Sequence, residues 1–179
     1  MNKGLFLVLV ALIGLPFILM DYMRAKDEKI KNVFAKFFAP ILREKELSAE
    51  KLCGASWVIM AILVNFSLFR EEIAITAFVI LVICDTLAAL VGKAIPSEPF
   101  FEKTRNGSLA FFISGILVLF ICGLIFSCGT WFYVFGIFSL AATTVIEARP
   151  SLFSVDDNFT IPISFALTLT AFDMIWKII

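Results

Sequence analysis

Long apolar runs alternate with short polar connections along the chain. A bilayer's hydrocarbon core is crossed by about 20 mostly apolar residues in a helix. Six segments approach that length: residues 4–20, 52–69, 73–91, 108–126, 131–146 and 159–179. Between the first two, Ile30, Val33, Phe34, Phe37, Phe38, Ile41 and Leu42 recur at steps of three and four, with Lys29, Lys31, Lys36 and Arg43 interleaved. This spacing predicts an amphipathic helix within about residues 24–50, bent or ended near Pro40, lying in the membrane interface. It suits a surface anchor, or a wall that guides a lipid sideways into a site. The pattern as a whole predicts an all-α membrane protein with about six transmembrane helices plus an amphipathic interfacial helix, in a single integral membrane domain over residues 1–179.

Composition agrees and excludes a water-soluble fold. Of 179 residues, 61% are hydrophobic and 21 are Phe, and the mean hydropathy is +1.00, far beyond an ordinary globular domain. A cleaved signal peptide is disfavoured for the first run, because Pro16 and Asp21-Tyr22 do not make a small-residue cleavage site. The net charge is zero, which gives no reason to expect a nucleic-acid partner. Cys53, Cys84, Cys122 and Cys128 show no paired spacing, and the chain has no His to complete a zinc site. They read as small packing residues.

The placement of charge carries more information than its sum. Lys and Arg gather on the cytoplasmic side of membrane proteins. One set of alternate connections holds the eight basic residues from Arg24 to Lys51, then Lys93, Lys103 and Arg105, then Arg149; the other holds Lys3, Arg70 and Lys177. Twelve against three places both termini outside and the long connections in the cytoplasm, with any roomy polar site on that face. The membrane is a cell, inner or endomembrane.

Three ionisable residues fall within apolar runs, where a carboxylate costs about 3 kcal/mol on insertion scales. Asp173 has Lys177 four residues on and reads as structural. Asp85 and Glu147 lie towards the inner ends of their segments, and Asp85 shares a helical face with the small residues Ala88, Ala89 and Gly92, which permit close helix packing. In the next loop, Lys93, Lys103 and Arg105 surround Asn106-Gly107-Ser108, a helix start with free N–H groups suited to anions. The last inner loop brings Asp156, Asp157 and Asn158 after Glu147, oxygen donors of the kind that hold Mg²⁺. A simpler role for Asp157 or Asn158 is to cap the last helix. Cations for phosphates, carboxylates for Mg²⁺ and a buried Asp near the interface fit phosphoryl or nucleotidyl transfer to a lipid.

The run Cys84-Asp85-Thr86-Leu87-Ala88-Ala89-Leu90-Val91-Gly92-Lys93, followed by Lys103-Thr104-Arg105-Asn106-Gly107-Ser108, resembles the paired signature of the CTP-dependent lipid kinases: dolichol kinase, phytol kinase and CTP-dependent diacylglycerol kinase. Their pattern is roughly G-D-T-x-A-x-x-x-G-[KR], then K-[ST]-x-E-G-S. Leu42-Arg43-Glu44-Lys45-Glu46 and Leu52-Cys53-Gly54-Ala55-Ser56 are similar to the family's L-R-x-x-E and L-T-G-A-T. Glu147 with Asp157-Asn158-Phe159-Thr160-Ile161-Pro162 is similar to its late Glu and D-N-x-T-x-P. The resemblance runs from about residue 42 to 162. Cys84 stands where the family has Gly, Asn106 where it has Glu, and the family's N-terminal R-K-x-x-H has no counterpart in a chain without His.

The resemblance implies a Mg²⁺-dependent kinase transferring the γ-phosphate of CTP to the hydroxyl of a lipid alcohol: a diacylglycerol, a phytol-like prenol or a polyprenol. By position it makes Asp85 and Lys103 catalytic, and Asp85, Glu147 and Asp157 metal ligands. Thr86, Gly92, Lys93, Lys103, Thr104, Arg105, Asn106, Gly107, Ser108 and Asn158 would bind nucleotide or phosphate, with Arg43 and Glu46 as a further polar site. Partners would be CTP, the lipid alcohol and membrane lipids; a homo-oligomer is compatible. One rival is a phosphatidate cytidylyltransferase-like CDP-lipid synthase, which shares the D-T-x-A and K-T-x-E-G elements but whose later K-D…P-G-H-G-G is absent here. Another is a non-enzymatic lipid-binding or transport protein, which would need no CTP.

Overall fold

A computed structural model describes residues 2–38, 51–153 and 155–177. The chain is an all-α membrane protein. Among the described residues, five helices are long and apolar enough to cross a bilayer: α1 (Lys3–Arg24), α4 (Glu71–Ala94), α5 (Arg105–Ile125), α6 (Thr130–Glu147) and α7 (Asp157–Trp176). The shorter α2 (Glu28–Phe38) and α3 (Gly54–Leu68) complete the set. The chain divides into two compact units, Met1–Ser67 and Leu68–Ile179.

In the first unit, α2 folds back on α1 through its aromatic face. Phe34 is fully buried, with ring centroids 5.7 Å from Phe17 and 4.9 Å from Phe38. Val33 and Phe37 remain exposed, so the amphipathic face is shared between helix packing and an apolar surround. The second half of that sequence pattern, with Pro40, Arg43 and Glu46, lies outside the described residues.

α1 runs four residues past the apolar stretch because its polar end is neutralised internally. Arg24 Nε sits 2.5 Å from Asp21 Oδ1, and both residues are buried. The other carboxylate oxygen of Asp21 accepts the Cys53 N–H at 2.9 Å and the Ser56 hydroxyl at 2.5 Å, capping the start of α3 from another helix. Arg24 also donates to the Lys51 carbonyl at 3.2 Å. None of this is visible as an apolar run.

In the second unit, α4 to α7 pack around a core that includes Ile73, Ile80, Phe111, Leu119, Leu140 and Phe165. Glycine notches bring α5 and α6 together: Leu140 seats over Gly115 and Leu119 over Gly136, each so close that an added Cβ would collide. Cys84 and Cys122 fill this core as free thiols. Arg70 reaches the Asp173 carboxylate at 3.7 Å, so the expected partner of Asp173, Lys177, is replaced by a residue at the start of α4. The connection between α4 and α5 holds a small antiparallel hairpin, β1 (Pro99–Phe100) with β2 (Lys103–Thr104).

Candidate functional site

The site is built where α4, β2, α6 and α7 converge. α4 is interrupted at Ile80–Asp85 by a π-helical segment that ends on Asp85. Such wide turns insert an extra residue, rotate the rest of the helix and recur at functional sites. Thr86 Oγ1 donates to the Val82 carbonyl at 2.7 Å, helping to satisfy the opened backbone. After the π segment the face turned inward carries Asp85, Ala88 and Gly92, while Ala89 is exposed.

β2 sets Lys103 opposite that face. Its ammonium lies 2.7 Å from Glu147 Oε1, 3.0 Å from Asp157 Oδ2 and 3.7 Å from Asp85 Oδ1. One cation thus gathers three carboxylates from three helices. Burial works against the charge on Lys103, but its contact with Glu147 and the charges of Glu147 and Asp157 outweigh that and hold its pKa above the ordinary 10.5. Glu147 is buried, and its Oε2 accepts from Ser108 Oγ at 3.4 Å. Its Oε1 makes the 2.7 Å ion pair with Lys103.

Local capping explains why Asp157 is available. The cap of α7 is Asp156, whose Oδ1 accepts the Asn158 N–H at 3.0 Å and the Asn158 side-chain amide at 2.7 Å. The simpler reading, a cap supplied by Asp157 or Asn158, is therefore corrected: Asp156 caps, Asn158 braces the cap, and Asp157 turns to Lys103.

The start of α5 also differs from expectation. The helix begins at Arg105 and its cap is Thr104, which accepts the Gly107 N–H at 3.2 Å, so Asn106, Gly107 and Ser108 lie inside its first turns. Asn106 braces the preceding loop, its N–H bonding Ser97 Oγ at 2.9 Å and its amide the Ile95 carbonyl at 3.1 Å. Gly92 and Gly107 meet where α4 crosses α5: a Cβ on Gly107 would stand 3.0 Å from the Ala88 carbonyl and 2.9 Å from Thr104 Oγ1. Lys93 and Arg105 are exposed. Arg105 and Ser108 line a cavity of about 260 Å³ with Phe112 and Thr144. Arg43 and Glu46 lie outside the described residues.

The hairpin tip is tied to the loop after α6. Glu102 N–H donates to the Ala148 carbonyl at 3.0 Å, its carboxylate accepts from Ser151, and the Arg149 guanidinium lies 4.5 Å over the Phe101 ring. These braces and the Asp21–Arg24 pair were missed in the sequence. An i,i+3 acid–base pair in the last turn of an apolar helix was the available signal for the latter.

As it stands, no group of three His, Cys, Asp or Glu among the described residues is placed to hold a metal ion. Asp85, Glu147 and Asp157 outnumber the one ammonium among them, which leaves an excess of carboxylate oxygen at this point of the fold.

Comparison with known proteins adds kinship. A Rickettsia prowazekii protein, described as uncharacterized protein RP860, is 31% identical over 157 residues, 87% of this chain and 76% of its own length. The chain belongs to the same family. It is also distantly related to two proteins described as CTP-dependent diacylglycerol kinase 1. That of Eremothecium gossypii is 26% identical over 87% of the chain, and that of Schizosaccharomyces pombe 27% over 83%. The match spans 56% of the length of the first and 72% of the second. No protein-family model and no solved structure matches the chain.

Proposed function

We propose that the protein is a lipid kinase that moves the γ-phosphate of CTP to the hydroxyl of a lipid alcohol at the cytoplasmic membrane face, with diacylglycerol the first acceptor to test. The observation that carries this is the meeting of Asp85, Glu147 and Asp157 on Lys103. The distant diacylglycerol kinase relatives support it.

In this reading Lys103 leaves part of its carboxylate cluster to take the incoming phosphates, with Arg105, Ser108 and the N-terminal N–H groups of α5 on the nucleotide side. Asp85 accepts the proton of the acceptor hydroxyl. The hydroxyl oxygen bonds to the γ-phosphorus as the bond to the β-phosphate oxygen breaks, and CDP leaves. Asp85, Glu147 and Asp157 would hold Mg²⁺, which offsets phosphate charge during transfer. Glu147, buried and bonded to Ser108, fixes the position of Lys103.

The test uses purified protein in detergent with Mg²⁺, CTP labelled on its γ-phosphate, and separate pools of diacylglycerol, phytol or geranylgeraniol, and polyprenol. Label should enter one lipid, and Asp85→Asn should cut the rate about 10³-fold, as loss of a general base does. Release of pyrophosphate from CTP with phosphatidate, and no labelled lipid alcohol, would replace the kinase by a CDP-lipid synthase. Silence in both assays would favour a lipid-binding or transport protein.

A further inference from the structure

A cavity of about 350 Å³ lies between the end of α6 and the first half of α7, within the size range of small-molecule sites, about 300–1,000 Å³. Its wall begins at Ile146, the residue before Glu147, and at Phe159 and Thr160, just after Asp157. It ends at Leu167 and Thr168, about 16 Å along α7 from Asp157 at the helical rise per residue. One end of the cavity is therefore at the level of the Lys103 cluster and the other is deep in the apolar layer.

The wall asks for hydrocarbon. Ser164 Oγ donates to the Ile161 carbonyl at 2.9 Å and Thr168 Oγ1 to the Ser164 carbonyl at 2.7 Å, so these hydroxyls are satisfied within their own helix. Leu167 and Phe153, both in the wall, are exposed. Charge then selects among lipids. Three carboxylates around one ammonium repel a phosphodiester headgroup that brings no divalent cation, unlike the phosphates of a Mg²⁺-bound nucleotide, whereas a neutral hydroxyl meets no such penalty.

We infer that this cavity holds one hydrocarbon chain of a lipid alcohol, with the hydroxyl presented to the Asp85, Lys103, Glu147 and Asp157 cluster. The inference rests on the lipid-kinase reading and names the place of its acceptor. Photo-crosslinking tests it on the full chain in detergent micelles, with a diacylglycerol carrying a diazirine in one acyl chain and a phosphatidylcholine carrying the same chain. The diacylglycerol should label residues 159–168 and be displaced by unlabelled diacylglycerol but not by phosphatidylcholine. Thr168→Phe, which fills the deep end, should reduce that labelling about tenfold, the cost of denying a few methylenes their burial. Leu167→Trp, at an exposed wall position, should act in the same direction and guards against a folding defect in the first variant.

Equal labelling of these residues by phosphatidylcholine would overturn the inference, as would label that ignores both substitutions. Turnover of γ-labelled CTP on the same samples separates the two readings. Label in the cavity without turnover sustains the chain site and overturns the kinase, whereas turnover with label elsewhere overturns the chain site alone.

Discussion

At the scale of single residues, Lys103 decides how the second unit is held and when it is not. Its ammonium is partly withdrawn from water, and the contacts with Glu147, Asp157 and Asp85 compensate for that. Because the folded protein raises its pKa above 10.5, the stability it confers is fully present below that pH and is lost as pH rises through the higher folded value. Lys103→Met should therefore lower the unfolding midpoint equally at pH 7 and pH 9, the gap to the native protein closing only in stronger alkali. Thermal unfolding in detergent reads this directly, and a gap that narrows between pH 7 and 9 would contradict it. Asp21 makes the comparable case in the first unit. Asp21→Ala removes the carboxylate from buried Arg24 and the acceptor from Cys53 N–H and Ser56. Breaking such a pair from one side costs about 3–5 kcal/mol, so the same assay should show a large drop in midpoint, and a shift within error would place Arg24 in water.

At the scale of elements, the crossing of α4 and α5 depends on what is missing from Gly92 and Gly107. Gly107→Ala would press a methyl against the Ala88 carbonyl and Thr104 Oγ1, and overpacking of this kind costs about 1–3 kcal/mol. The variant should unfold at a lower temperature, and one as stable as the native chain would mean that α4 moves aside freely. The sequence made the helices legible wherever burial in lipid demands an apolar run, and the family motifs made Asp85, Lys103, Glu147 and Asp157 legible as separate positions. Element ends were harder, because polar chemistry sets them: the Asp21–Arg24 pair carries α1 past Met20, Thr104 caps α5 so that it starts three residues before Ser108, and Asp156 caps α7. The π segment was not legible at all. Ile80–Asp85 reads as ordinary apolar helix, and only its packing between α5 and α7 shows which way Asp85 turns.

At the scale of the whole molecule, topology depends on whether α3 crosses the bilayer. Its 15 residues rise about 22 Å, less than the roughly 30 Å of the hydrocarbon core, although Leu52 and Phe69 extend the apolar stretch at its ends. Parity turns on this one helix. If α3 crosses, the basic residues divide twelve against three and both termini share the outer side. If it does not, Lys3, Lys93, Lys103, Arg105 and Arg149 face the other ten, a weaker bias that would also put the Lys103 loop on the basic-poor side. The bias of cytoplasmic loops towards Lys and Arg therefore favours a crossing α3, accommodated by local thinning or by snorkelling of flanking side chains. In a cysteine-free background, Lys177→Cys should react with an impermeant maleimide added to intact cells, and Pro99→Cys only after permeabilisation. The reverse pattern would mean that α3 stays in one leaflet. It would also move the candidate site away from the compartment that holds CTP, so a topology experiment alone can remove the kinase reading.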